Sequence, residues 1–288
     1  MLKQRILTAA ALLLGLLAAI FYLPPPYWAG LMALVAAVAA WEWGGLAGLK
    51  MPGRLVFGGL QLLLCGLLMH TGVPLDDFGS GGVMPLLLCA AALFWCLIVP
   101  SWLWRRWRLN QSAWGRGLLL FLGIGLILAT WVAFVGLRAL HPGLLLWTLG
   151  IAWVSDISAY FAGRGFGGRK LAPEISPGKT WAGVYGALAG VLLYGLLSLV
   201  MYDAPWGYAI LLLPLLLLTI LGILGDLFES LLKRQAGIKD SGNLLPGHGG
   251  VLDRVDSLLA VLPCAALIAY AAYAVLVAIM RNIGSLGR

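Results

Sequence analysis

The sequence predicts an all-α protein that crosses a membrane about nine times. Three observations carry that prediction. Only 10% of the 288 residues are charged and 62% are hydrophobic, against about 25% charged in an ordinary soluble domain. The apolar residues come in blocks of about 20, the length a helix needs to cross the hydrocarbon core. The basic residues are divided very unequally between alternate connections. Spanning segments satisfy every backbone N–H and C=O internally, so they are helices or closed barrels. Continuous apolar runs fit helices, whereas barrel strands alternate.

Nine spans are read at 6–23, 27–47, 55–72, 84–102, 117–137, 143–163, 182–201, 207–228 and 258–280. The first follows Lys3 and Arg5, as a signal peptide would. Pro24-Pro25-Pro26 arrive without a small-residue cleavage site, and further spans follow, so it reads as a retained helix. Spans one to five are rich in Leu, Ala and Gly, with Trp near their ends, where Trp reads as an interfacial anchor. Trp104-Arg105-Arg106-Trp107-Arg108 at the end of span four reads as an anchor against anionic headgroups. Glu42, near the inner end of span two, is open between a functional acid and one that snorkels to the interface. Cys65, Cys89, Cys96 and Cys264 are scattered without metal spacing and read as small buried hydrophobes.

With nine spans, alternate connections face opposite sides. Arg138, Arg281 and Arg288 fall on one side, and every other one of the 19 basic residues falls on the other. The positive-inside rule makes the richer side cytoplasmic. The N-terminus is then inside and the C-terminus outside. The formal charge of +8 is thereby topology, and no nucleic acid is needed to explain it. The chain divides at 1–140, five spans of lipid-facing scaffold, and 141–288, four spans with the polar connections 164–181 and 229–257.

Residues suited to chemistry concentrate in those two connections and the helix ends beside them. Asp156 lies about two turns above the inner end of span six, where an ionised carboxylate needs a partner or a cation. Gly163-Arg164-Gly165-Phe166-Gly167-Gly168-Arg169-Lys170 then exposes N–H groups and cations that suit phosphate. The plain alternative is a flexible loop. Ser176-Pro177-Gly178-Lys179-Thr180-Trp181 contains the Gly-Lys-Thr of a P-loop. Pro173 stands where that motif needs Gly, and the motif also needs a preceding strand, so it is rejected. What survives is a helix N-terminus with Ser176, Lys179 and Thr180, a general anion site.

Asp226 and Glu229 close span eight, three apart and so on one helix face, with Lys233 a turn beyond. Asp253 and Asp256 open span nine with the same spacing. Helix-end solvation with Lys233, Arg234 and Arg254 would explain either pair, but explains both pairs together less well. Four acids at two joined helix ends suit a hard divalent cation such as Mg²⁺, which keeps waters and substrate phosphates. The loop between holds Lys239-Asp240-Ser241-Gly242 and Leu245-Pro246-Gly247-His248-Gly249-Gly250. Glycines let backbone approach a ligand closely, and Lys and Arg neutralise phosphate oxygens. His248, flanked by glycines, reads as a phosphate or base contact. Acids for a metal beside bases for phosphate form the toolkit of phosphoryl and nucleotidyl transfer, which works by positioning and charge stabilisation. At the inner surface of a membrane it suggests one substrate in lipid and one in cytosol.

The run from Ser230 to Ser257, 28 residues without a gap, resembles the signature of the phosphatidate cytidylyltransferases, also called CDP-diacylglycerol synthases. It includes Lys233-Arg234, Lys239-Asp240-Ser241, Gly247-His248-Gly249-Gly250 and Asp253-Arg254-Val255-Asp256-Ser257. A second block is similar: Asp156, Ala159-Tyr160-Phe161, Gly163-Arg164, Phe166-Gly167 and Ser176 to Trp181. One position departs, with Ala182-Gly183 where the family commonly has Glu-Gly. The resemblance implies a reaction of CTP with phosphatidic acid that gives CDP-diacylglycerol and pyrophosphate. It implies Mg²⁺, a second cation such as K⁺, a homodimer, and a multi-pass enzyme of the inner membrane in phospholipid synthesis. Asp226, Asp253 and Asp256 would be metal ligands, with Asp156 and Glu229 as weaker candidates. Lys233, Arg234, Lys239, His248 and Arg254 would hold phosphates beside Gly249 and Gly250. Ser176, Lys179, Thr180 and Arg164 would line the other wall. The rivals are a transporter of an anionic substrate, another CTP-dependent lipid phosphotransferase, and an inactive homologue.

Overall fold

Each apolar block becomes a helix, and Pro or Gly marks most of the ends. The computed structural model describes residues 2–70, 82–109, 112–244 and 249–286. The helices are α1 (Leu2–Tyr22), α2 (Pro25–Leu46), α3 (Met51–His70), α4 (Val83–Leu93), α5 (Val99–Arg105), α6 (Ala113–Leu140) and α7 (Pro142–Phe166). After a β-hairpin come α8 (Trp181–Met201), α9 (Leu212–Gln235), a short α10 (Leu252–Val255) and α11 (Leu258–Leu286). A π-helical turn at Phe94–Ile98 runs α4 into α5 as one span. Among the described residues, eight helices are long and apolar enough to cross a membrane. They correspond to the second to ninth predicted spans. The predicted first span is helical throughout, but the apolar part found in it, Ala10–Tyr22, is shorter than the other eight. The fold is an all-α polytopic membrane protein.

The α2–α3 pair packs on α6, the α7–α8 pair packs on α9, and α11 runs between them against α4, α6, α7 and α9. Helices α7 and α8 approach through small residues, as membrane helices do. A side chain at Gly186 would strike the Ala162 methyl and come within 2.9 Å of the Ser158 carbonyl oxygen. Large apolar side chains such as Leu86, Phe121 and Val200 stand on the outside, as a bilayer solvent requires.

The tryptophans correct the sequence reading. Trp28, Trp43, Trp95, Trp102 and Trp131 are buried and are not interfacial anchors. Three of them are struts between α2 and α6: the indole N–H donates from Trp28 to Phe134 O at 3.3 Å, from Trp43 to Leu119 O at 2.9 Å, and from Trp131 to Ala29 O at 3.0 Å. An amphipathic ring that fills a helix gap also needs a polar partner, and a helix carbonyl supplies it. Trp95, Trp102 and Trp43 also surround Phe228 with Phe94, which fixes α9 to α2 and to the α4–α5 span. Trp104 and Trp114 do stand exposed. Cys65 and Cys264 are buried as expected, whereas Cys89 and Cys96 lie on the exposed surface.

Two local departures shape the site. The connection after α7 is not an irregular loop. Gly167 and Gly168, both with positive φ, turn the chain out of the helix. Strand β1 (Lys170–Ala172) then pairs antiparallel with β2 (Ser176–Thr180). Asp253 and Asp256 do not open the last spanning helix on one face. Asp253 sits in α10, and Asp256 in the turn before α11.

Candidate active site

The hairpin carries Lys179 and Thr180 to the start of α8 and against α9. The Thr180 hydroxyl accepts the Gly183 N–H at 3.1 Å and so caps α8, which sets the direction in which β2 enters the helix. Lys179 Nζ then lies 2.5 Å from Asp226 Oδ2 of α9. Both residues line a cavity of about 490 Å³ with Asp156, Tyr160 and Arg164 of α7. Ser230 donates to Asp226 Oδ1 at 3.3 Å, and Arg164 donates to the Tyr160 hydroxyl at 3.1 Å.

Asp256 joins this group from the other side. Gly225 of α9 is what admits it: a Cβ there would lie 2.8 Å from the Asp256 carbonyl oxygen. Burial first, and then the charge of nearby Asp226, push the Asp256 carboxyl up to about 7. The Ser257 N–H at 2.7 Å and the Lys179 charge oppose the rise. Asp156 is within electrostatic reach of Asp226, Lys179 and Arg254. Three carboxylates and two bases thus influence one another around the cavity.

The other two acids go elsewhere. Lys233 bridges Glu229 Oε2 at 3.2 Å and Asp253 Oδ1 at 2.7 Å, all largely buried. Asp253 also accepts the Ser241 N–H at 3.0 Å and the Gly250 N–H at 2.8 Å. Burial alone would raise the Asp253 carboxyl, but the Lys233 hydrogen bond and the Gly250 and Ser241 amides hold it below the ordinary carboxylate value. Gly249 has φ +79°, and a Cβ there would meet Asp253 Oδ2 at 2.7 Å, so the turn needs glycine on both counts. Glu229 Oε1 is buried with no hydrogen-bond partner among the described residues.

The sequence proposed five acids without sorting them, and the structure divides them into two groups. Asp156 and Asp226 line the cavity with Asp256 in electrostatic reach of both, while Glu229 and Asp253 share Lys233. Lys179, Thr180 and Arg164 line the cavity. Ser176 lies in β2 opposite Ala172 and is not among its lining residues. Arg234 donates to Ile175 O at 3.3 Å and lines a separate small cavity with Arg106 and Arg108. Lys239 and Arg254 are exposed, and Gly250 is buried in the turn. His248 lies outside the described residues. Sequence reasoning missed Ser155 and Gly222, which line the cavity, and left Glu42 open. Glu42 is fully buried and hydrogen-bonded to Ser241, Val251 and Leu252.

The arrangement can grip a phosphate-bearing molecule between bases and acid-bound cations. Comparison with known proteins gives the family. Residues 3–272 match the model of the Cytidylyltransferase family. The chain is 42% identical to the phosphatidate cytidylyltransferase of Pseudomonas aeruginosa, over 94% of this chain and 98% of that one. It is 36% identical to that of Haemophilus influenzae, over 91% of this chain and 96% of that one. It is 50% identical to the Bacillus subtilis enzyme of the same name over 113 residues, 39% of this chain and 42% of that one. With a match that runs almost from end to end, the chain belongs to the cytidylyltransferase family.

Proposed function

We propose that this protein is a phosphatidate cytidylyltransferase of the inner membrane, with its site at the cytoplasmic face. The observation that carries the reading is the Lys179–Asp226 pair in a cavity that also collects Asp156 and Arg164. A phosphatidate oxygen forms a bond to the α-phosphorus of CTP. The bond from that phosphorus to the bridging oxygen breaks, and its electron pair leaves with pyrophosphate. Ionised phosphatidate is already a nucleophile, so no strong base is required. The chain's own work is positioning and charge stabilisation. Lys179 exchanges Asp226 for a substrate phosphate, and Arg164 and Arg254 add positive charge at the rim. Tyr160, Phe161 and Phe166, all exposed, offer apolar surface beside the cavity for acyl chains.

Mg²⁺ fits this donor set. Among the described residues no three His, Cys, Asp or Glu side chains meet as a ready-made metal site. Mg²⁺ does not need one, because one or two carboxylates suffice when waters and substrate phosphates complete its shell. Asp226 and Asp256 would hold it with Asp156 nearby, and the raised Asp256 carboxyl is the cost that a cation removes. When bound, it would neutralise the departing pyrophosphate charge. Asp253 keeps a place among the candidate ligands, through exchange of its present hydrogen bonds. A second cation such as K⁺ and a homodimer follow from the family likeness. Activity across alkali-metal salts and native mass spectrometry read them.

The test supplies purified protein with phosphatidic acid, labelled CTP and Mg²⁺, and follows label into chloroform-extractable lipid. Transfer that requires phosphatidate and Mg²⁺, and is lost in Asp226→Ala, supports the reading. A folded wild type that transfers nothing in detergent or in lipid overturns it.

A further inference from the structure

Glu42 belongs to α2, in the half of the chain that supplies no other acid to the site. Its side chain is fully buried. Its carboxylate accepts three hydrogen bonds from residues far along the chain: Ser241 Oγ–H at 3.0 Å, Val251 N–H at 3.1 Å and Leu252 N–H at 2.7 Å. Asp253 accepts the neighbouring Ser241 and Gly250 N–H groups. Two carboxylates thus share the donors of Ser241 and residues 250–252, and backbone N–H groups 250, 251 and 252 are all bound. Two glycines leave room for this. A Cβ at Gly250 would lie 2.5 Å from both Glu42 carboxylate oxygens, and one at Gly242 would strike Glu42 Oε1.

We propose that Glu42 is a positioning residue for cytidylyl transfer: it clasps Ser241 and the 250–252 backbone to the N-terminal half, and so sets the placement of Asp253 and Asp256. This rests on the reading of the site as a cytidylyltransferase. A space-filling acid would tolerate Gln, which has the same shape. A clasp would not, because the Gln Nε2 group is a donor and in either amide orientation would face a backbone N–H, that of Val251 or that of Leu252. An unsatisfied buried donor then forces the turn away. Removal of such supporting hydrogen bonds costs about 10- to 100-fold in activity.

Four variants test it in the full-length protein in lipid: Glu42→Gln, Glu42→Ala, Gly242→Ala and the double variant Glu42→Ala/Gly242→Ala. The expected results are a fall of about 10- to 100-fold in kcat for Glu42→Gln, with KM for phosphatidate unchanged. Hydrogen exchange at Val251 and Leu252 should quicken. Gly242→Ala should fail in the same way, and the double variant should lose less than the two single losses predict, because removal of Glu42 makes room for the methyl. Glu42→Gln with wild-type kcat and wild-type exchange overturns the proposal. So does a loss of folded protein with kcat per folded molecule unchanged. If the wild type itself transfers no cytidylyl group, the function reading fails. Hydrogen exchange then decides the clasp alone, and unchanged exchange in Glu42→Gln sinks that too.

Discussion

At the scale of single residues, the chemistry depends on which base each acid has. Lys179 is the base of the cavity, and its loss removes a positioned cation where phosphate charge develops. Lys179→Ala should lower kcat by about 10²- to 10³-fold, measured by label transfer, with thermal stability nearly intact. Asp256 gives a pH signature. Its carboxyl is near 7 in the fold against an ordinary 3.8, so the folded state binds the extra proton between those values. Stability of the metal-free protein therefore falls as pH rises from about 4 to 7 on account of this group, and is flat above. A cation must displace that proton. The rise in Tm on adding Mg²⁺ should accordingly be larger at pH 8 than at pH 5.5, and scanning calorimetry checks it. Asp253 acts in the opposite sense. Its depressed carboxyl contributes fully above the ordinary value of about 3.9, and the contribution is lost as pH falls through the folded value.

At the scale of elements, the spanning helices were legible because a bilayer demands long apolar runs, and almost nothing else produces them. The hairpin at 170–180 was not legible. Its strands are three and five residues long, and Pro177 and Gly178 interrupt the second, so no period of two is visible. Nor could the i, i+3 spacing of Asp226 and Glu229 sort them. Spacing gives a shared face but not the partner opposite, and here the hairpin meets one acid while Lys233 takes the other. The Trp residues misled for a similar reason: position near a span end does not say whether a helix carbonyl waits there. Two elements make firm predictions. Gly186→Ala should push α7 from α8 and cost about 1–3 kcal/mol, measured by unfolding in detergent. Thr180→Ala removes the α8 cap and should cost about 1 kcal/mol, with a loss of activity because Lys179 is the residue before it.

At the scale of the whole molecule, the charge asymmetry that suggested a topology can be tested directly. In a cysteine-free background, Asn243→Cys should react with a membrane-impermeant thiol reagent only from the cytoplasmic side, and Asp203→Cys only from the other. The reverse result would invert the reading of the basic residues. The molecule also works across its halves. Its last helix, α11, is packed against helices from both, and the turn before it is held by an acid from the second helix.

That last contact has a consequence in time. Glu42 and its donors are 199 to 210 positions apart. At about 5–20 residues per second, a ribosome needs about 10 to 40 s to reach the second after making the first. For that interval the nascent chain holds a carboxylate near the bilayer with none of its final donors yet made. A chain stalled in that window displays an unanswered acid, and a finished one does not. The same side chain that orders the mature enzyme therefore marks the unfinished one.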